Sequence, residues 1–599
     1  MVGYINFKQL KDLDKIILGI LRQQQIIEAP CIKYIELIHN LTQTPIIDLI
    51  IQETIIENDK LIDILHNSHV FPLFISISQK IKICNYAKLS EYTKNGYFIC
   101  VDNFGQQLVL IWDLKILTLL LETINIRKIK LIKKLEFYQL LEVNFSHLNT
   151  IKAKYFLGFL SNSITAKDIK YIRIIIGFFI IFLLVLQNFL YLFHIINNIC
   201  YGLQNFFKIL LFYNSVLILP KPLVIELKNN ILPIYTILIP LYKESEKLAS
   251  IVRNISNLNY PKDRLDIKII VEADDNLMIK QIILQDLPTN ITVLKVPFSL
   301  PRTKPKALNY AMQYARGKYT VIYDAEDRPD TNQLLLAVAT FRSLEEEVAC
   351  LQSKLNFYNY NENLLTKLFS LEYSLWFEYI LKGLSILNLP VPLGGTSNHF
   401  KTDILQKIGC WDAYNVTEDA DLGIRLYSLG YKVCMIDSYT LEESPITLYN
   451  WLNQRSRWIK GFFQTFLVFL ASKDKLQKFT IMQIVSIYIF IGLSFYNFCC
   501  LPFIIITTIT NNSKVIAYLW IVNSFFAFSY LYATGIFISM RSKGKTSKFL
   551  ILDITALIIW PFYFILHTVA CYKAIWESIF RPFEWNKTKH GESEEEIEN

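Results

Sequence analysis

The chain has 599 residues, more than one ordinary domain needs, and is 52% hydrophobic and 19% charged, with 41 Phe and 34 Tyr, the bias that lipid-facing helices produce. Its net charge of +9 fits Lys and Arg flanking membrane spans; with no zinc-finger spacing or aromatic-basic RNA signature beside it, no nucleic-acid partner is expected. The ten cysteines include no CxxC and read as buried thiols of a reducing compartment, which excludes a disulfide scaffold.

At the N-terminus Lys8, Lys11, Asp12, Asp14 and Lys15 interrupt the apolar residues, so no leader peptide is expected. Residues 1–160 contain no membrane span. Ile and Leu recur at helical spacing from Ile16 to His66, whereas YFICVDNF and QQLVLIWDL alternate like strands around a turn at Asn103–Gly105. The expectation is a small cytoplasmic domain of mixed α/β class with a regulatory role. Residues 171–193 carry no acid and one base, Arg173, and are long enough to cross a bilayer. Residues 203–219, although they hold Lys208, are read as the return crossing, which gives a helix pair over 171–220.

Residues 225–460 are polar enough to be soluble. YTILIPLY, DIKIIVEADD, ITVLKVP and YTVIYDAED alternate with helical stretches, the order of a doubly wound sheet, whose ligands sit beyond the carboxyl ends of the strands. From 461 to 580 an interfacial helix leads into apolar segments at 482–507, 515–540 and 549–578. RSKGKTSK (541–548) and the tail 581–599 are both basic. Both lie on the cytoplasmic side only if 549–578 is a hairpin broken near Pro561 or lies partly flat on the membrane.

The chemistry concentrates in five places. Asp274 and Asp275 follow a buried strand, where a carboxylate can accept hydrogen bonds from a uracil or ribose edge; Glu272 lies two residues earlier. Asp324 and Glu326 have the i, i+2 spacing that turns two side chains the same way on extended backbone. A hard divalent cation bridging a diphosphate needs such oxygen ligands. Lys304 and Lys306 open a helix containing Asn309 and bring positive charge to a diphosphate. Thr417 is an N-cap candidate, with Glu418 and Asp419 at the start of its helix. A base that takes the proton of an acceptor hydroxyl is required for an inverting transfer; Asp419 is the first candidate, Glu418 and Asp421 the alternatives. Gln454 and Arg457 share a helix face at i and i+3. Arg457 can neutralise a leaving pyrophosphate, and Trp458 offers a flat ring to a sugar. Each feature alone also has a plain structural reading: a solvated loop, a basic turn, a helix cap or an interfacial anchor.

In this order the motifs Asp, D-x-D, T-E-D and Q-x-x-R-W make residues 230–460 resemble the processive family 2 membrane glycosyltransferases, the group that includes bacterial cellulose synthase. The counterparts are Asp274 or Asp275; Asp324-Ala325-Glu326, with Glu in place of the last Asp; Thr417-Glu418-Asp419; and Gln454, Arg457 and Trp458. The resemblance implies an α/β GT-A (Rossmann-like) catalytic domain between transmembrane helices, a nucleotide-sugar donor, and Mg2+ or Mn2+ at Asp324 and Glu326. It also implies Asp419 as base, a glycan or lipid-linked acceptor near Trp458, and a multi-pass protein of the bacterial inner membrane whose catalytic domain faces the cytoplasm among membrane lipids. GGTSNHF (394–400) and FEWNKTKHG are similar to segments of a cellulose-synthase-like bacterial subgroup, which places Gly395 and Thr396 at the acceptor site.

Residues 1–150 loosely look like the N-terminal domain of type II secretion and type IV pilus assembly ATPases, a module that can bind cyclic di-GMP. Its Arg-Leu-Gly signature is missing around Leu41–Asp48, so a protein partner is equally expected there. Processive polysaccharide synthesis coupled to export is the main expectation. A single transfer to a lipid-linked or short glycan is the alternative, and a transporter or scaffold with an inactive insert is disfavoured by the intact acid set.

Overall fold

The computed structural model describes residues 13–583 except 53–54, 75–80, 84, 162–163, 170–175, 178–180, 182–189, 218–231, 286, 473–475, 511–513, 515, 525–526 and 528–547. Most of the expected span at 171–193, most of that at 515–540, all but the last residue of the basic loop 541–548 and most of the tail lie outside the described residues.

Near the N-terminus β1 (Tyr97–Val101) and β2 (Gln107–Ile111) pair antiparallel, and β3 (Ile129–Leu131) runs parallel to β2. The β1–β2 turn closes on the Asp102 carboxylate, which accepts from the backbone N–H of Phe104 (2.9 Å) and Gln106 (2.8 Å). It passes through Gly105 at φ +77°, a conformation that costs glycine nothing. Helices Leu13–Gln23, Ala29–Thr42, Ile46–Gln52 and Asn58–Asn67 bury Ile17, Leu21, Ile35, Ile50 and Leu61 against Val109, Ile111 and Leu131, as amphipathic spacing requires.

The 28-residue helix Lys134–Ser161 follows and packs along helix Lys304–Met312. The contact is hydrogen-bonded: Asn149 Nδ2 donates to the Tyr310 carbonyl (3.1 Å), and Asn309 Nδ2 to the Ala153 carbonyl (3.0 Å). Nearby, Lys268 lies 4.0 Å from the Tyr138 ring centroid and pairs with Asp266 at 2.8 Å. Arg316 bridges to Asp113.

The main sheet has eight strands: β4 (Tyr235–Leu241), β5 (Leu265–Glu272), β6 (Ile291–Val296), β7 (Tyr319–Ile322), β8 (Arg328–Pro329), β9 (Val348–Phe357), β10 (Asn398–Lys401) and β11 (Lys432–Glu442). Their order is β6-β5-β4-β7-β10-β9-β11-β8. β6, β5, β4 and β7 are mutually parallel, β10 is antiparallel to both neighbours, and β9 and β11 are parallel. Ile237 and Ile239 of β4 face one core and Leu238 the other. Helices Leu248–Ser256 and Gln333–Ser343 cover the first face and helix Lys304–Met312 the second. This is a doubly wound α/β core with helices on both faces of the sheet. Because β4, β5 and β7 are parallel, the segments after Leu241, Glu272 and Ile322 emerge at one edge.

Two helical expectations are corrected. Residues 190–217 form one continuous helix, Leu190–Leu217, so no turn separates a crossing that ends at 193 from a return at 203. Gly202, the one flexible residue there, is packed: a Cβ on it would meet Asn523 Oδ1 at 3.2 Å. Residues 548–580 likewise form one helix, Lys548–Phe580, unbroken at position 561, which removes the hairpin. Among the described residues one helix, Ile481–Ile509, is long and apolar enough to cross a membrane, with mean hydropathy 2.1.

Candidate active site

A cavity of about 1120 Å³ extends from the edge where β4, β5 and β7 end to the helices Leu190–Leu217, Leu493–Thr510 and Lys548–Phe580. Asp324, Glu326, Glu418, Asp419 and Glu442 line its upper part together with Arg302, Lys304 and Arg457. Gln454, Trp458, Gly394, Gly395 and Thr396 are also in its wall.

β7 delivers the first acids. The chain leaves Ile322 and turns on Asp327, whose buried carboxylate accepts from the Asp324 N–H at 2.8 Å and from the Thr396 hydroxyl. That turn directs Asp324 and Glu326 into the cavity while Asp327 is spent on structure. The Thr396 hydroxyl also lies 3.0 Å from the Ile322 carbonyl oxygen, so its single proton is shared between two loops. Lys304 Nζ sits 2.7 Å from Asp324 Oδ1 and donates to the Gly395 carbonyl at 2.6 Å. Burial opposes its charge, but Asp324, Asp419 and Glu418 raise its pKa overall.

Helix Glu418–Ser428 brings the second pair of acids. Thr417 stands at its N-cap position, yet its side chain makes no capping bond there. Asp419 accepts from Trp411 Nε1–H at 3.1 Å. Gly395 lies beside it: a Cβ there would be in ordinary contact with Asp419 Oδ2 at 4.0 Å. Burial, then the Glu418 charge, raises the Asp419 carboxyl well above the carboxylate range. Burial and Asp324 push Glu326 up to about 7, and burial with Asp327 raises Glu442 in the same direction. Crowding of like charge in a buried cleft raises these pKa values, and a bound cation would relieve it.

Helix Leu448–Ala471 closes the site. Gly461 meets the Thr417-Glu418-Asp419 turn here: a Cβ on it would come within 2.3 Å of Thr417 Cγ2. Trp458 stacks on Tyr373, centroids 6.0 Å apart. Gln454 is in the cavity wall, and its buried Oε1 has no hydrogen-bond partner within the protein.

Four expected residues fall elsewhere. Asp275 caps helix Asn276–Leu284, accepting from Met278 N–H (3.2 Å), and also accepts from Lys243 N–H (2.7 Å); both bonds are structural. Asp274 lies outside the cavity wall and pairs with Arg302. Lys306 is fully buried and pairs with Glu272 at 3.0 Å, because two residues of helical rotation, about 200°, turn it away from the face that Lys304 presents. Glu272 reaches the cavity instead. Asp421 turns away to Arg425 at 3.4 Å, which leaves Glu418 and Asp419.

Sequence reasoning missed Arg302, Glu442 and Trp411. Arg302 stands two residues before Lys304 and donates to the Tyr242 hydroxyl at 2.8 Å. Glu442 ends β11, and the β8–β11 and β9–β11 pairings bring it to the acids that follow β7. Trp411 lies eight residues before the acid it contacts, with no periodicity to join them.

Among the described residues no group of three or more His, Cys, Asp or Glu is arranged to hold a metal ion. Asp324 and Glu326 still fit a hard divalent cation, since Mg2+ is commonly held by one or two carboxylates with substrate phosphates completing the shell.

Residues 319–575 match the model of the Glycosyl transferase family group 2. The chain is 29% identical over 257 residues to a probable glycosyltransferase, YdaM, of Bacillus subtilis (strain 168), covering 41% of this chain and 59% of that protein. It is 29% identical over 243 residues to a β-monoglucosyldiacylglycerol synthase of Trichormus variabilis, covering 39% and 50%. The chain thus spans between half and three-fifths of these relatives. Among solved structures, the mannosyltransferase PcManGT from Pyrobaculum calidifontis, in complex with GDP-Man and Mn2+, aligns at TM-score 0.43 with 16% identity over 66% of this chain and 98% of that one. The family match and these relatives point to glycosyltransferases broadly.

Proposed function

We propose that the protein transfers a sugar from a nucleotide-diphosphate donor to an acceptor bound beside Trp458, with inversion at the anomeric carbon. The observation that carries this reading is the convergence of Asp324, Glu326, Asp419 and Arg457 on one cavity at the carboxyl edge of a doubly wound sheet, in a stretch that matches a glycosyltransferase family.

Asp324 and Glu326 would hold Mg2+ or Mn2+, which when bound offsets the negative charge of the donor diphosphate. Lys304, already at Asp324, adds charge to the same region. Arg457 faces Glu418 and Asp324 and stabilises the leaving nucleotide diphosphate as charge grows there. Asp419 takes the proton of the attacking acceptor hydroxyl. Its raised pKa suits a base that must hold that proton until product leaves, while the N–H of Trp411 orients the carboxylate and favours its charged form. Trp458 presents its ring to the acceptor sugar, and Gln454 has an open acceptor for a hydroxyl.

A single transfer to a lipid-linked or short glycan acceptor is favoured by the relatives, among them a protein whose name gives a diacylglycerol product. A second reading, extension of a longer glycan, has its own support: the cavity continues past Trp458 to Gln204, Asn497, Trp520 and Trp560, and amides with flat rings suit sugar hydroxyls and faces. Membrane association is supported by helix Ile481–Ile509.

The test uses full-length protein in lipid nanodiscs with Mn2+ and labelled UDP- and GDP-sugars, products being separated by size and by extraction into organic solvent. Transfer that drops 10²-fold or more in Asp419→Asn is expected, about the contribution of a general base. Transfer that survives this substitution would remove Asp419 from its role; none with any donor would end the reading.

A further inference from the structure

Glu372 has no part in the reaction described above, yet it gathers groups from two other helices. It lies on helix Leu364–Ser374. Its Oε2 accepts from Arg455 Nη2 at 2.6 Å and from the Tyr563 hydroxyl at 2.8 Å. His567 Nε2 stands 3.5 Å from Oε1. Tyr563 in turn accepts from Trp451 Nε1–H at 3.1 Å. Arg455 and Trp451 belong to helix Leu448–Ala471, and Tyr563 and His567 to helix Lys548–Phe580.

The network reaches the site through stacked groups. The Arg455 guanidinium lies 4.8 Å from the Trp458 ring centroid and 4.9 Å from that of Phe369. Tyr373, next to Glu372, stacks on the other side chain of the pair, Trp458. Trp451, Arg455 and Trp458 follow one another at i, i+4 and i+7, a single stripe of the helix. Fixing Arg455 therefore fixes the rotation of the helix and with it the direction of Arg457, two residues on. The mutual attraction is strong: burial alone would raise the Glu372 carboxyl, but Arg455 and His567 bring it to about 2.

We propose that Glu372 is a positioning residue: through Arg455 and Tyr563 it locks helix Leu448–Ala471 in the rotation that turns Arg457 and Trp458 into the cavity, and it couples that rotation to the C-terminal helix. The catalytic part of this inference rests on the sugar-transfer reading; the mechanical part does not.

The experiment compares wild type with Glu372→Gln and Tyr563→Phe in nanodiscs by hydrogen–deuterium exchange and by steady-state transfer from the donor that wild type uses. Exchange over residues 448–460 is expected to quicken at least threefold in Glu372→Gln, with β4–β7 unchanged. The kcat is expected to fall at least tenfold while the donor KM stays within twofold. Tyr563→Phe, which keeps its ring and fold, is expected to show a smaller change of the same kind and carries the test if Glu372→Gln does not fold. Unchanged exchange at 448–460 in the folded variants would overturn the lock. A lower melting temperature with unchanged kcat per folded molecule would show a merely structural contact and overturn the positioning role. If wild type transfers no sugar, the proposed function fails, and the exchange comparison alone still decides the lock.

Discussion

A half-buried and a buried side chain show how the protein interior serves opposite ends. Arg457 is held in the cavity wall opposite Glu418 and Asp324, where a guanidinium can meet diphosphate charge in a partly dry setting. Arg457→Ala should lower kcat by about 10²-fold, the usual loss when one preorganised charge stabiliser is removed, with folded yield maintained; steady-state transfer assays check it. His399 of β10 is fully buried, with Nδ1 2.7 Å from the Tyr235 hydroxyl. Burial lowers its pKa from 6.5 to about 3. The folded state therefore binds fewer protons than the unfolded state in that interval. His399 contributes stability that is complete above pH 6.5 and is lost as pH falls towards 3. At about 1.4 kcal/mol per pKa unit the loss amounts to several kcal/mol. The thermal midpoint of wild type should drop across this interval, and His399→Gln should show a flatter slope.

At the scale of elements, the site depends on how closely two helices meet. Gly461 allows helix Leu448–Ala471 to lie against Thr417, whose Cγ2 would be 2.3 Å from an added Cβ. Gly461→Ala should force the helices apart, costing about 1–3 kcal/mol as overpacking does and lowering transfer more than donor binding; a melting curve beside nucleotide titration separates the two. The T-E-D and Q-x-x-R-W motifs were legible in the chain because each is short and local. That Gly461, three residues beyond Trp458, is the contact between them was not, since a glycine in a helix carries no sign of what it faces. The helices illustrate the same limit. Apolar runs at 203–219 and 549–578 were visible as composition, but composition does not say where a helix stops, and continuous backbone hydrogen bonding joins 190–217 and 548–580 into single rods.

For the whole molecule, the crowding of Asp324, Glu326, Glu418, Asp419 and Glu442 around one cavity predicts dependence on a divalent cation. Chelation should abolish transfer, and Mn2+ or Mg2+ should restore it without refolding, as assays with and without EDTA would show. The sequence by itself determined the alternation of short apolar strands with helices, hence a doubly wound sheet. It also determined which acids stand at strand ends, because a strand of period two followed by carboxylates is a local pattern. Tertiary structure alone decided among those acids. Asp275 became a helix cap, Asp274 an outer partner of Arg302 and Lys306 a buried partner of Glu272, while Glu442 arrived from a strand more than a hundred residues after Asp324. The reason is physical: a side chain's direction follows from the local backbone, but what it meets is fixed by strand order and helix packing, which join residues that no spacing along the chain connects.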